Sequence, residues 1–337
     1  MEDRYNEILS QYDFEVTARS RIRGGIMIET DAGCKIVKET KTSAGRLVWE
    51  HKVKSHLKEA GFGYIDSFCL NRDNNISSIG TNGQRYVVRD WYPGSECDIH
   101  NVKDVYAASV NMAVLHNCLK GIPPYEYSMC AGAQDIVTTL KKHNKELGHI
   151  RNYLRAKKYK NEYEMALLRA FPDYYNIAAG VFDCLESSRL NELIHSACGK
   201  HEVIHGSYTY HNIIMCGNYI ATTVFDKCTY GLWLMDLYYY IRKVMEKNEW
   251  NPEYGHAVLS GYESVRLIPD EERAILAMLL LYPEKFWKLA SCYMNSKKTW
   301  IPGKNMEKLN ALCIQRDSRE KFIKGELLKE QIKFDII

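Results

Sequence analysis

From about Phe14 to Glu39 the chain alternates apolar and polar residues, with β-branched side chains flanking two glycine-bearing turns. Val16, Ile22 to Gly25, Ile26-Met27-Ile28, Gly33 and Ile36-Val37 follow in an order that predicts a three-stranded meander, since a period of two sets one face of each strand on a core. The period then changes. Leu47, Glu50, Val53, Lys54 and Leu57 recur at spacings of three and four, which predicts a helix that ends at Gly61-Phe62-Gly63. Ile65 to Leu70 and Arg85 to Trp91 predict two further strands around the polar stretch Asn71 to Gly83.

Beyond Pro93-Gly94 the pattern turns to long helical periods, over Val102 to His116, Gln134 to Arg155 and Asn161 to Glu186. A small sheet followed by helices is an α+β plan of two unequal lobes. The expected division is a sheet lobe with one helix over residues 1–92 and a larger, mainly helical lobe over 93–337. Ile213-Ile214-Met215 and Ile220 to Phe225, around Gly217-Asn218, predict a strand-turn-strand insert among the helices. Leu234, Leu237, Tyr238, Ile241, Val244 and Met245 share one helical face and read as core.

Composition supports this plan and removes several function classes. The 337 residues exceed the length of about 250 to 300 at which single cores stop growing. At 46% hydrophobic and 26% charged, the chain has the make-up of an ordinary globular protein rather than a disordered one. Forty-five basic against 42 acidic residues leave a charge of +3, too small for a nucleic-acid groove, so no nucleic-acid partner is expected. The acidic opening Met1-Glu2-Asp3-Arg4-Tyr5 lacks the plan of a secretory signal. No apolar run reaches the roughly 18 residues of a membrane span. Eleven cysteines without a Cys-x-x-Cys pair fit a reducing cytoplasm at synthesis. Buried apolar thiols are the simple reading of them; cross-linking through exposed cysteines and some of the 24 tyrosines is the alternative.

The densest chemical signal is His205-Gly206-Ser207-Tyr208-Thr209-Tyr210-His211-Asn212, followed by Phe225-Asp226. It resembles the His-Gly-Asp-x-x-x-x-Asn loop and later aspartate of aminoglycoside and choline phosphotransferases, which share the protein-kinase-like fold. That resemblance implies that Asn212 and Asp226 are ligands of the magnesium that bridges ATP phosphates, while a carboxylate earlier in the loop would accept the proton of an incoming hydroxyl. Ser207 stands in the place of that carboxylate. A neutral hydroxyl takes up no proton near pH 7. With general-base assistance commonly worth roughly 10² to 10⁴ in rate, phosphoryl transfer is expected to be severely reduced. His211 is the imidazole within the loop that would have to compensate.

The same resemblance matches Lys38, at the end of an apolar strand, to the phosphate-binding lysine and Glu50 to its helical partner. Taken singly each also reads as solvated, and Lys35 is a rival for the first role. The segment holding Arg19, Arg21, Arg23, Gly24 and Gly25 occupies the place of a phosphate-covering turn without its glycine pattern, and reads equally as a solvated hairpin. Asp90 and Tyr92 fall where strand passes into hinge and an adenine would meet the chain; an inter-lobe linker is the other reading. Asp98 is expected to cap a helix, and His116 to be a core residue under the loop. Asp236 matches the aspartate that steadies the loop through its backbone, or else caps a helix itself.

Longer stretches narrow the resemblance. Arg89 to Asp98, Phe225-Asp226-Lys227-Cys228, Asp236 to Lys243, Leu281 to Lys288, Thr299-Trp300-Ile301-Pro302 and the tail Arg319-Glu320-Lys321-Phe322 are similar to the CotS family of spore coat proteins. Their loop usually reads His-Gly-Asp, so Ser207 is a departure. The resemblance implies a kinase-like scaffold made in the cytoplasm of a mother cell and deposited in the spore coat among other coat proteins. Three functions follow as expectations: an impaired, pseudokinase-like component that still binds ATP and magnesium, an active small-molecule phosphotransferase, or a purely structural block.

Overall fold

The computed structural model describes residues 2–22, 24–124, 136–296 and 303–328, with side chains from residue 5 onward. Arg23, the first residues of the helix expected from Gln134, and Thr299-Trp300-Ile301-Pro302 lie outside the described residues.

Helix α1 (Glu2–Leu9), which the alternation does not predict, precedes the meander of β1 (Val16–Ile22), β2 (Gly25–Thr30) and β3 (Gly33–Thr40). Helix α2 (Ala44–Glu59) follows, then β4 (Ser78–Ile79) and β5 (Arg85–Asp90). These strands form one antiparallel sheet in the order β1-β2-β3-β5-β4. Its pleat explains both helices. Ile28, Val37, Tyr86 and Val88 on one face pack with Ile8, Leu9 and Tyr12, so α1 covers apolar surface that would otherwise meet water. The opposite face carries Lys38 opposite Val87 and Ile36 opposite Arg89, and there Val87 packs with Leu47 of α2 and Phe68.

The strand expected over Ile65 to Leu70 is reduced to isolated bridges, Ile65 with Thr222 and Phe68 with Arg89. Two successive tight turns, Ile65 N–H to Gly63 O at 3.0 Å and Ser67 N–H to Ile65 O at 2.7 Å, fold the backbone out of a regular ladder. That bend turns Asp66 inward, where it is 2% exposed.

Strand β6 (Ser95–Glu96) leads into α3 (Val102–Cys118), α4 (Ile136–Ala156), α5 (Glu162–Ser187) and α6 (Leu190–Gly199). Asn101, not Asp98, caps α3 by accepting from the Lys103 N–H at 3.0 Å; Asp98 instead accepts from the His100 N–H at 2.9 Å in the turn before it. Strands β7 (Val203–Ile204), β8 (Ile213–Met215), β9 (Ile220–Thr222) and β10 (Thr229–Tyr230) follow, with one 3₁₀ turn at Tyr210–Asn212. The chain continues through α7 (Leu234–Lys247), α8 (Pro252–Glu263), α9 (Asp270–Leu281), α10 (Glu284–Asn295), α11 (Gly303–Ile314) and α12 (Arg316–Phe322).

Packing groups the chain into two compact units. One comprises Met1–Gly132, Ala197–Tyr240 and Ala257–Arg266; the other comprises Ala133–Ser196, Ile241–His256 and Leu267–Ile337. In the first, β6, β8 and β9 form a small sheet and β7 pairs with β10, which brackets the His205 loop between short strands. In the second, α5 is the spine. Its Tyr163 and Tyr174 hydroxyls donate to the Leu289 and Leu312 carbonyls at 3.3 and 3.0 Å, and Phe286 packs on Phe171 and Tyr174. Ten described cysteines are all free thiols. No helix among the described residues is long and apolar enough to cross a membrane.

Candidate functional site

All the chemistry-bearing residues singled out in the sequence fall in the first unit. The His205 loop is tied down from beneath. Asp236, in the first turn of α7, accepts from the backbone N–H of His205 at 2.7 Å and of Gly206 at 2.9 Å. His116 of α3 lies 3.3 Å from the same carboxylate through Nε2 and 2.9 Å from the Tyr262 hydroxyl through Nδ1. Burial pushes the His116 pKa down, so a neutral ring donates from Nε2 to Asp236 and accepts from Tyr262 at Nδ1. Asp236 therefore spends its carboxylate on the loop and on His116, and the loop's entry is rigid.

His205 is fully buried, and burial pushes its pKa down as well. Its Nε2 faces the Thr223 carbonyl at 3.1 Å and its Nδ1 accepts from the Ser207 N–H at 3.2 Å. Both ring nitrogens are used, so this imidazole braces the turn rather than exchanging protons with a ligand. Gly206 sits at φ 72°, and a Cβ there would fall 2.4 Å from the Lys227 carbonyl oxygen. Only glycine permits both the left-handed backbone and that approach.

Ser207 is half-buried, and Asn212 folds back over it: Asn212 Nδ2 lies 2.8 Å from the Ser207 carbonyl and 3.4 Å from its hydroxyl. These bonds use the amide nitrogen, so Asn212 Oδ1 is not the atom spent on Ser207. His211 points to Glu96 of β6, 2.5 Å from Nδ1 to Oε2. The Asp226 carboxylate is exposed and forms no ion pair among the described residues. Two residues earlier Val224 holds φ 66°, an unusual strain for a β-branched residue, and donates its N–H to Asp66 at 3.1 Å. Among the described residues no three His, Cys, Asp or Glu side chains gather as a metal cluster. The available set is an amide oxygen and a carboxylate, hard oxygen ligands of the kind that hold magnesium together with substrate phosphates and water.

The residues expected to meet a nucleotide are arranged differently from their sequence expectation. Lys35 is committed to Asp90 and to the Ala32 carbonyl, each at 2.7 Å. Lys38 makes no hydrogen bond among the described residues; its ammonium lies 5.7 Å from the centre of the Trp91 ring. Burial first, and then the neighbouring Arg89, lower its pKa, while Asp66 and Asp226 pull it back up. Lys38 thus lies within electrostatic reach of Asp226.

Glu50 does not pair with Lys38. Lys54 reaches it at 2.6 Å and Arg89 at 3.0 Å, and both cations also contact Asp66, at 2.8 and 3.0 Å. The four side chains form a buried, charge-balanced quartet under Phe68, whose ring lies 4.6 Å from the Lys54 ammonium and 4.5 Å from the Arg89 guanidinium. Burial alone would raise the Asp66 pKa, but the Lys54 and Arg89 cations outweigh it and hold the carboxyl below its usual value. Asp90 serves Lys35, and the Tyr92 hydroxyl donates to the Ile65 carbonyl at 2.9 Å while its ring packs on Tyr64 and Tyr219. Neither side chain is offered to a ligand.

Sequence reasoning missed Lys54, Asp66, Arg89 and Glu96, along with Arg46 and Trp49, which are described below. The Glu50–Lys54 spacing was visible, but a pair four residues apart on a helix ordinarily signals a solvated surface.

Residues 5–325 match the family described as "Spore coat putative kinase YutH". The chain belongs to this family. It is 23% identical to Spore coat protein S of Bacillus subtilis (strain 168), over 94% of this chain and 92% of that one. Among solved structures, an aminoglycoside phosphotransferase from Alicyclobacillus acidocaldarius superposes with a TM-score of 0.84 at 15% identity, covering 95% of this chain and 94% of that one. An amicoumacin kinase in complex with AMP-PNP, Ca²⁺ and Ami superposes with a TM-score of 0.59 at 14% identity, covering 99% of this chain and 95% of that one. At such identities the likeness establishes the kinase-like fold, not a substrate. The family assignment and the relation to Spore coat protein S agree with the resemblance drawn from the longer stretches, and the fold agrees with the one drawn from the loop.

Proposed function

We infer that this member of the YutH family is a nucleotide-binding component of the spore coat whose phosphoryl-transfer chemistry is disabled at Ser207. One observation carries the reading: Asn212 is folded onto Ser207, so the loop keeps the turn that presents a metal ligand while the residue at its centre is a neutral hydroxyl. Asn212 Oδ1 and the Asp226 carboxylate would hold magnesium, which when bound would neutralise the phosphate charge. Lys38, whose ammonium forms no hydrogen bond or ion pair among the described residues and lies beside the Trp91 ring, would meet the phosphates. Of the hinge amides, Asp90 donates to Ser67 and Trp91 to Cys34, which leaves Tyr92 N–H for an adenine. His205 and Asp236 keep the loop in place and touch no ligand. A complex of the amicoumacin kinase with a nucleotide analogue and a divalent cation supports this cofactor class. Synthesis in the mother-cell cytoplasm and assembly with other coat proteins belong to the same proposal.

Titration of the purified chain with ATP is expected to raise its Tm further with magnesium than without it, and Asp226→Ala is expected to remove the magnesium-dependent part of that rise. Substrate-dependent ADP release across sugars, aminoglycosides and amino alcohols is expected to be absent, and Ser207→Asp to restore it for some acceptor. Turnover that is lost in Asp226→Ala but retained in Ser207→Ala would overturn the reading. It would favour a second one, an active alcohol phosphotransferase, for which the His211–Glu96 pair supplies an imidazole polarised by a carboxylate within the loop.

A further inference from the structure

The turn that carries Asp226 is held by a single helix. Arg46, in the first turn of α2, donates to the Asp226 carbonyl from Nε at 3.0 Å and from Nη2 at 2.8 Å, and from Nη2 also to the Cys228 carbonyl at 2.5 Å. One turn on, the buried Trp49 donates its indole N–H to the same Cys228 carbonyl at 3.0 Å. These bonds spend a guanidinium on neutral backbone oxygens rather than on a carboxylate. Arg46 makes no ion pair among the described residues. The planar guanidinium fork spans two carbonyls two residues apart, which fixes orientation as well as distance.

The same helix also governs the other end of the segment. Lys54 of α2, itself paired with Glu50, holds Asp66, and Asp66 accepts the N–H of Val224 at its left-handed φ. The backbone is therefore gripped on both sides of Asp226: at Val224 through the buried quartet, and at Asp226 and Cys228 by Arg46 and Trp49. Its carboxylate is left exposed between these anchors. A ligand residue whose neighbours are fixed before the ligand arrives loses less freedom on binding.

We propose that Arg46 is the positioning residue for Asp226, and that with Trp49 it clamps the 226–228 turn to α2, so the metal ligand is set by the place of that helix before any nucleotide binds. The proposal rests on Asp226 being a metal ligand only for its consequence, not for the clamp. Arg46 itself contacts neither metal nor phosphate in this scheme. Replacing it should loosen the turn and weaken the magnesium-dependent part of nucleotide binding, while leaving metal-free binding as it was.

The test uses the full chain with Arg46→Ala, Arg46→Lys and Trp49→Phe, the last of which removes the N–H and retains an aromatic ring. Amide hydrogen exchange without ligand is expected to quicken at Lys227, Cys228 and Thr229 by at least about tenfold in Arg46→Ala, the factor that about 1.4 kcal/mol represents. Exchange in β3 and β5 should not change. Arg46→Lys keeps the charge but not the fork, and is expected to behave nearly as Arg46→Ala. Trp49→Phe is expected to show a smaller effect of the same kind. Should Arg46→Ala fold poorly, Arg46→Lys carries the same comparison.

The ratio of ATP affinity with magnesium to ATP affinity without it is expected to fall about tenfold in Arg46→Ala. Unchanged exchange at residues 227–229 in both Arg46 variants would overturn the clamp. An equal loss of affinity with and without magnesium would show that Arg46 meets the nucleotide directly, and would overturn its role as a positioning residue. If the unmodified chain binds no magnesium nucleotide at all, the proposed function fails, while the exchange result still decides the clamp.

Discussion

At the scale of single residues, two charges that look ordinary in the sequence prove to be the most expensive to disturb. Lys54 and Arg89 neutralise Glu50 and Asp66 where none of the four is more than 9% exposed. Removing one cation leaves two buried carboxylates sharing the other, and such an uncompensated buried charge typically costs about 3 to 5 kcal/mol. Lys54→Met, which keeps the length of the side chain and removes the charge, is expected to lower stability by that amount in urea denaturation. By contrast, Ser207→Ala removes one half-buried hydroxyl and should leave the urea midpoint nearly where it was. A loss of stability there comparable to that of Lys54→Met would mean that Ser207 has a structural duty.

At the scale of elements, α2, α3 and α5 each begin at a residue whose side chain caps the helix. Asn161 accepts from the Glu164 N–H at 2.9 Å, and Glu164 returns a bond from the Asn161 N–H at 2.9 Å, a complete capping box at the head of α5. Since α5 is the spine of its unit, Asn161→Ala is expected to cost about 1 kcal/mol, seen as a lower urea midpoint with an unchanged slope. The sheet and five helices, α2 to α5 and α7, were legible because hydrophobic period is a local property. Helix α1 was not, since its apolar face is short and is explained only by the second face of the sheet. The kinked strand around Asp66 was hidden for the opposite reason: its residues carry strand-like periodicity, but a buried ionic contact bends the backbone out of the ladder.

For the whole molecule, the buried histidines make stability depend on pH. His116 and His205 are held neutral by burial, so their folded pKa values lie below the unfolded value near 6.5. Below pH 6.5 the unfolded chain takes up protons that the folded chain refuses, and stability falls. Above that pH their contribution is constant. Each can supply a slope of up to about 1.4 kcal/mol per pH unit, about 2.7 for the pair, until the folded values are reached. Urea denaturation at pH 7.5, 6.5 and 5.5 is expected to show a flat stretch and then a decline; equal stability at 7.5 and 5.5 would count against buried neutral rings. Asp66 acts lower on the scale. Its depressed folded pKa lends stability above the ordinary value of 3.8, and that share is lost as pH drops through the folded value.

What the sequence determined by itself was the meander with its following helix, the helices α3 to α5 and α7, and the loop from His205 to Asn212 with a serine at its third position and Asp226 after it. Those signals lie in residues close together along the chain, where spacing alone carries information. Tertiary structure alone decided that Glu50 belongs to Lys54 and Arg89, that Lys35 is spent on Asp90 while Lys38 is not, that Asp236 holds the loop rather than a helix end, and that Arg46 grips the backbone at Asp226. A charged side chain pairs with whatever folding brings beside it, and burial sets how much that pairing is worth. Neither the neighbour nor the burial is written in the spacing.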